Sequence, residues 1–172
     1  MIKLQIYAEI RRVRPTGHSE NGGNSMKIAF GSDPNATEFK KTLLEYVKAK
    51  GFDCTDFGSD DPIYANVAIE VAEAVAAGKF DRGILICGTG IGVSIAANKV
   101  PGAYAALVNN IYQAQRAQLS NNANIITMGA QVMGIEVAKM CVDEYLRCTF
   151  DPKSRSLPKV QRILDYEKEV TK

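Results

Sequence analysis

Short apolar runs and helical periodicities alternate along the chain from residue 26 onward. The run RGILIC at 82–87 is nearly uninterrupted, which is typical of a strand covered on both faces of a sheet. Strands are predicted at 27–30, 52–57, 82–87, 103–108 and 125–128, and helices at 36–50, 64–77, 93–98, 111–118, 132–146 and 157–170. The strict alternation predicts an α/β fold, with a five-stranded parallel sheet and helices on both sides.

Residues 1–25 differ from the rest of the chain, because they end in the polar, glycine-rich stretch PTGHSENGGNS. We expect them to be an extension that is disordered or vector-derived; a basic targeting peptide is the alternative. Residues 26–172 are then expected to form one domain. A chain of 172 residues that is 46% hydrophobic has enough apolar side chains for one sizeable core.

Charge and cysteine content exclude several classes of function. The net charge of +2 is carried by residues 1–25, so the remainder is neutral and lacks the basic surface that nucleic acids require. The sequence has no apolar run of about 18 residues, which predicts no membrane span. Four cysteines without a Cys-x-x-Cys pair, and one histidine at position 18, predict no metal site. Few cysteines and no secretory segment favour the cytoplasm.

Ligands of open parallel sheets bind beyond the carboxyl ends of the strands. The segments that follow the five predicted strands are therefore the candidates for a binding site. They begin at Ser32, Gly58, Cys87, Asn109 and Gly129.

The third of these segments, CGTGIGVS at 87–94, runs from the buried strand into a helix. Glycines at alternate positions allow successive backbone N–H groups to point into one concavity that holds an anion. The motif is neither a Walker P-loop nor the dinucleotide fingerprint, since no Gly-Lys-Ser/Thr follows and the glycine spacing differs. A tight turn without function remains the alternative.

Cys87 stands at the rim of this concavity. The N–H groups and the helix dipole stabilise a thiolate, which then acts as a general base. The same donors hold an oxyanion that forms beside it. The pattern alone equally permits a small apolar side chain at the end of a strand.

From Met26 onward the chain resembles the family of ribose-5-phosphate isomerase B and galactose-6-phosphate isomerase (LacA/LacB). The resemblance rests mainly on GILICGTGIGVSIAANKV at 83–100. IAFGSD at 28–33, DPIYA at 61–65, NNAN at 121–124 and ITMG at 126–129 also match.

The resemblance implies a Rossmann-like three-layer α/β/α sandwich and an aldose–ketose isomerase that works through a cis-enediolate without metal or cofactor. It implies a homodimer or homotetramer with active sites at the subunit interface. Cys87 is then the base, assisted by Thr89, with Ser120 where the family has a ring-opening histidine. Substrate-binding positions are implied at Asp33, Pro34, Tyr64, Gly88, Gly90, Ile91, Gly92, Ser94, Asn98, Asn109 and Asn121. Arg155 and Lys159 match phosphate-binding positions that serve the neighbouring subunit.

Three departures from the family pattern bear on the substrate. Pro34 and Ser120 replace histidines, and Gln131 replaces a phosphate-binding arginine. Because a serine is a poor acid or base at neutral pH, ring opening lacks its catalyst. A tetrose 4-phosphate cannot close a five- or six-membered ring, so the pattern favours the erythrose/erythrulose 4-phosphate pair over ribose 5-phosphate.

Two other functions remain open at this point. One is a sugar-phosphate-binding protein without catalytic activity, and the other is a partner subunit of a hetero-oligomer like the LacA/LacB pair.

Overall fold

The computed structural model describes residues 25–171. The predicted N-terminal extension, residues 1–25, therefore lies outside the described residues except for Ser25. Five strands form one sheet: β1 (Lys27–Ser32), β2 (Asp53–Asp56), β3 (Arg82–Cys87), β4 (Ala105–Leu107) and β5 (Ile125–Gly129). All neighbouring strands are parallel, in the order β2-β1-β3-β5-β4. The predicted five-stranded parallel sheet is confirmed.

Helices cover both faces of this sheet: α1 (Thr37–Ala49), α2 (Tyr64–Ala76), α3 (Ile91–Ala97), α4 (Ile111–Leu119), α5 (Ile135–Arg147) and α6 (Leu157–Val170). The first, fourth and fifth helices pack on one face, in a core that includes Phe30, Ile86 and Tyr145. The second and third helices pack on the other face, where Leu85 and Cys87 point. The arrangement is the expected three-layer sandwich.

The predicted bounds differ from the observed ones by two residues or more at four elements, and one of these is β1, which continues to Ser32. Helix α5 begins at Ile135 instead of residue 132, because the amides of Val132 and Met133 both bond to the Gly129 carbonyl in a turn and Gly134 is extended. Helix α3 begins two residues early, directly after Gly90. Strand β4 is only three residues long, since the Tyr104 amide bonds to the Asn124 side chain instead of a neighbouring strand.

The strand order places a switch point at the carboxyl ends of β1 and β3. The connection after β1 leads to β2 at one side, and the chain then returns across β1 to form β3. Loops on the two sides of such a point diverge and leave a crevice in which ligands bind. Asp33 and Cys87 flank this crevice, since Ser32 is in register with Ile86 one residue earlier.

Helix α6 is attached at the β4 end of the sheet. Its Val160 packs with Phe150 in a small separate cluster. The Glu167 carboxylate accepts hydrogen bonds from the Gly102 amide at 3.1 Å and from the Tyr104 hydroxyl at 2.8 Å. The C-terminal helix is thereby fixed beside the amino end of β4.

Candidate active site

The turn between β3 and α3 forms a tight cradle around the Cys87 thiol. Gly90 has a φ of +79°, a left-handed conformation that suits glycine, and its amide donates a hydrogen bond to Cys87 Sγ at 3.1 Å. The Cys87 side chain is nearly buried, with 4% of the residue exposed. The sulfur therefore faces a backbone donor from within the turn. The predicted combination of thiol and N–H donor is present.

Close backbone approach between the cradle and the end of β5 requires glycine at two positions. A Cβ on Gly90 would lie 2.7 Å from the Met128 carbonyl carbon, and one on Gly129 would lie 2.6 Å from the Thr89 carbonyl carbon. Neither contact is possible for a real side chain, and in both cases the obstacle is backbone. Gly129 therefore allows the cradle to pack directly against β5, a role that the sequence analysis missed although a glycine at the end of this strand was a signal for it.

The loop after β5 closes over the cradle. The amides of Ala130 and Gln131 donate to the carbonyls of Cys87 and Gly88, at 2.9 and 3.0 Å. The Gln131 side chain lies across Gly88, where an added Cβ would be 3.2 Å from Gln131 Oε1. A neutral amide thus stands beside the cradle at the position where the resemblance led us to look for an arginine.

Asp33 supplies a buried carboxylate on the opposite side of the crevice. The residue is 5% exposed, and its Oδ2 accepts a hydrogen bond from the Asn35 side chain at 3.3 Å. Oδ1 is buried and has no hydrogen-bond partner within residues 25–171. A buried acceptor of this kind suits the hydroxyl groups of a ligand. Asn35, which orients the carboxylate, was not predicted, although the Asp-Pro-Asn spacing was a signal.

Tyr64 is the first residue of α2 and lies against α3, the helix that follows the cradle. A Cβ on Gly92 would be 2.6 Å from its ring, so this glycine makes room for the tyrosine. Thr89 is exposed at the rim, where its Oγ1 accepts a hydrogen bond from the Ile91 amide at 3.4 Å. The carboxyl edge also holds exposed Pro34, in a 3-10 turn, and exposed Asn109, whose amide bonds to the Gln113 side chain.

Two predicted substrate-binding residues use their side chains within the fold. The Asn98 amide pairs with the Ala105 backbone through bonds of 2.8 and 2.9 Å, as a neighbouring strand would. Ser94 Oγ donates to the Ala105 carbonyl at 3.4 Å. Both residues stabilise the free edge of β4, and Asn98 lies at the end of α3 that points away from the cradle.

Ser120 and Asn121 lie at the amino edge of the sheet. Helix α4 starts at the carboxyl edge, and its nine residues carry the chain about 13 Å towards the other edge, where β5 begins. The same edge has a cavity of about 280 Å³ that Asn98, Asn121 and residues of α6 line. The fold therefore does not bring Ser120 and Asn121 to the Cys87 of their own chain.

Arg155 and Lys159 lie just before and within the first turn of α6. Both are exposed, and neither forms a salt bridge within residues 25–171. Val160 and Ile163 of α6 line the cavity at the amino edge together with Asn121. The two cations at the start of α6 are therefore on the same side of the fold as Asn121.

Three further cysteines lie in the described chain. Burial raises the pKa of Cys54 and Cys141 to about 11, and burial also raises the pKa of Cys148.

Within residues 25–171 no group of three or more His, Cys, Asp or Glu side chains is arranged to hold a metal ion. No helix in this part of the chain has the length and hydropathy of a membrane span.

Comparison with known proteins gives one consistent family. The family model described as Ribose/Galactose Isomerase matches residues 28–163. D-erythrulose-4-phosphate isomerase of Pectobacterium atrosepticum is 45% identical over 83% of this chain and 95% of its own length. Ribose-5-P isomerase B of Listeria innocua is 43% identical over 83% and 97%.

A solved structure shows the same fold. Ribose-5-phosphate isomerase B of Clostridium thermocellum superposes with a TM-score of 0.79 at 41% identity, covering 84% of this chain and 99% of its own. A structural match at this level of identity, together with a family model that spans most of the chain, shows that the chain shares its ancestry with this family. The chain is an isomerase that belongs to the ribose/galactose isomerase family.

Proposed function

We propose that this isomerase interconverts the aldose and ketose forms of a small sugar phosphate, with Cys87 as the base. The hydrogen bond from the Gly90 amide to Cys87 Sγ, at 3.1 Å, is the observation that carries the proposal. It places the sulfur within a glycine-rich turn whose backbone N–H groups can donate hydrogen bonds to an oxyanion. A base next to an oxyanion cradle suits proton abstraction at a carbon beside a carbonyl.

The proposed reaction conserves all atoms of the sugar. The Cys87 thiolate takes the hydrogen from C2 of the open-chain aldose as a proton, and the electron pair left on C2 forms the C1–C2 double bond of an enediolate. The π pair of the C1 carbonyl moves to O1, which becomes the oxyanion. The thiol then returns the proton to C1, while O2 loses its proton and O1 gains one. Thr89 and the unpaired oxygen of Asp33 lie at this edge of the sheet, which suits them to the two hydroxyl groups.

The loops around Cys87 that follow the strands offer the phosphate no cation. The loops that follow the five strands contain no lysine or arginine, whereas Asp33, Asp60 and Asp61 lie in them. Cations suited to a phosphate are Arg155 and Lys159, at the other edge of the fold. We therefore propose that each site combines the Cys87 half of one protomer with the amino-edge half of a second copy.

Exposed apolar side chains beside the cradle support such a dimer. Ile63, Ile91 and Ile95 are 60%, 51% and 59% exposed around the entrance to the crevice. Covering them with a second copy removes apolar surface from water and excludes water from the reacting groups. In that arrangement Ser120 and Asn121 of one protomer face the thiol of the other.

The four-carbon substrate is the one we propose. Relatives of nearly equal identity are named for erythrulose 4-phosphate and for ribose 5-phosphate, so identity alone does not decide. Residues 26–172 contain no histidine. By resemblance to the family, Ser120 occupies the position of the ring-opening histidine. A tetrose 4-phosphate needs no such group because it reacts as an open chain.

The substrate proposal predicts a gain of activity in Ser120→His. The unaltered enzyme should show kcat/KM for erythrulose 4-phosphate at least about tenfold above that for ribose 5-phosphate. Because general acid–base groups contribute about 10²–10⁴-fold, Ser120→His should raise kcat/KM for ribose 5-phosphate by about tenfold or more and leave the tetrose value nearly unchanged.

Coupled assays on both substrates measure these values. Ser25→His is the control, because Ser25 is exposed and donates to the Gly51 carbonyl next to β2, on the other side of the sheet from β5. Ribose 5-phosphate turned over by the unaltered enzyme as efficiently as the tetrose would refute the four-carbon assignment. It would leave the isomerase proposal itself intact.

A further inference from the structure

Several side-chain hydrogen bonds fix the segment between α4 and β5, residues 120–124, which we call the asparagine loop. Asn122 has a φ of +49°, in the left-handed region that asparagine tolerates better than most residues. Asn121 Nδ2 donates to the Arg116 carbonyl at 2.9 Å. The Asn124 side chain accepts from the Tyr104 amide and donates to the Gly102 carbonyl, both at 2.8 Å.

Two buried side chains converge on one carbonyl of this loop. Gln118 Nε2 and the Tyr145 hydroxyl both donate to the Ala123 carbonyl oxygen, at 2.5 and 3.0 Å. Gln118 and Tyr145 are each 0% exposed. Burial raises the pKa of Tyr145, so the phenol is neutral and available as a donor. The Ala123 carbonyl is thereby fixed from inside the core, two residues after Asn121.

Arg82 supports this arrangement from the start of β3. It is fully buried, and its guanidinium lies 5.7 Å from the centre of the Tyr145 ring. Its Nε and Nη2 have no hydrogen-bond partner within residues 25–171. Burying these groups unpaired lowers the stability of the fold. The next residue, Gly83, donates its amide to the Asn124 carbonyl at 2.9 Å. The strand that ends at Cys87 therefore also anchors the asparagine loop at its other end.

We infer that Gln118 and Tyr145 are positioning residues, which hold Ser120 and Asn121 in place for the Cys87 site of the partner protomer. The inference rests on the proposed function, in which the asparagine loop completes that site. Two directional hydrogen bonds from buried donors restrict the position of the Ala123 carbonyl more narrowly than apolar packing alone, although Gln118 Oε1 has no partner within residues 25–171. A group such as Asn121 that orients the substrate loses much of its effect on the rate when it is displaced by about 1 Å, so such anchoring bears on catalysis.

The inference predicts that Tyr145→Phe lowers kcat with little change in KM. The variant keeps the ring in the core and removes only the donor to Ala123, so kcat should fall by about tenfold and the melting temperature by a few degrees. Gln118→Met, which removes the other donor, should behave in the same way. Tyr46→Phe is the control, since it also removes one hydrogen bond, to Asp143 at 2.6 Å, and should leave kcat unchanged.

Mixed dimers distinguish positioning in the partner site from a structural effect within one chain. Cys87→Ala and Tyr145→Phe chains carrying different tags are co-expressed, and the dimer containing one of each is purified. Its only Cys87 thiol belongs to the Tyr145→Phe chain, whereas the loop facing that thiol comes from the chain with an intact Tyr145. We expect kcat per thiol to return to the unaltered value.

A mixed dimer that keeps the lowered kcat of the Tyr145→Phe homodimer would overturn the inference, and so would a Tyr145→Phe homodimer with unaltered kcat. Failure of the proposed function gives a different result. In that case the unaltered dimer turns over neither sugar phosphate, or the Cys87→Ala homodimer remains active.

Discussion

Cys87→Ala should lower kcat by about 10²–10⁴-fold, the contribution of a general base, while substrate binding survives. The substitution removes the sulfur and leaves the backbone N–H groups of the cradle and the Asp33 carboxylate in place. Since the cysteine side chain is small and lies at the end of β3, the melting temperature should change little. A coupled assay of the isomerisation measures kcat, and calorimetric titration with the ketose phosphate measures binding.

Cys54→Ala is the matched control for this experiment. It removes a thiol whose pKa burial raises to about 11 and which lies on β2, at the edge of the sheet. Its kcat should equal that of the unaltered enzyme. A Cys87→Ala enzyme within about tenfold of the unaltered kcat would refute the assignment of the base. Loss of binding together with activity would instead indicate that the cradle had collapsed.

Ile86→Asp should prevent folding altogether. Ile86 is fully buried in the central strand, with β1 on one side and β5 on the other. A carboxylate at this position has no cation to pair with and no access to water, and such substitutions cost more than about 4–5 kcal/mol. That cost removes most of the 5–15 kcal/mol by which a typical domain is stable.

Circular dichroism and urea unfolding measure this effect. Ile69→Asp provides the same change on the outer side of α2, where the residue is 37% exposed, and should unfold cooperatively with nearly unaltered stability. If Ile86→Asp retained the native spectrum and a cooperative transition, the core would be organised differently from this description.

The sheet and its topology class could be predicted because the relevant signals are local. The run at 82–87 has no charged residue after its first position, and all six residues of β3 are buried. Helices α1 and α2 end next to Gly51 and Gly78, both in the left-handed conformation. The start of α5 could not be predicted, since the pattern at 132–134 fits a helix and only the hydrogen bonds to Gly129 make it a turn.

The position of Asp33, Cys87 and Thr89 at one edge of the sheet could be predicted for a similar reason. These residues end or closely follow strands, and the carboxyl ends of parallel strands share one edge. The role of Asn98 could not, because it depends on how closely α3 approaches the free edge of β4. The separation of Ser120 from Cys87 was within reach of the sequence, since a helix of nine residues moves the chain to the opposite edge of the sheet.

Proton transfer by Cys87 can be tested most directly by isomerisation in D₂O, with the product analysed by NMR. If the thiol carries the hydrogen between C1 and C2, its proton exchanges with solvent during part of the turnovers. The product of the unaltered enzyme should then contain deuterium at the carbon that received the hydrogen. Cys87→Ala should incorporate none above the rate of the uncatalysed reaction. Deuterium incorporation by Cys87→Ala at the rate of the unaltered enzyme would contradict the account.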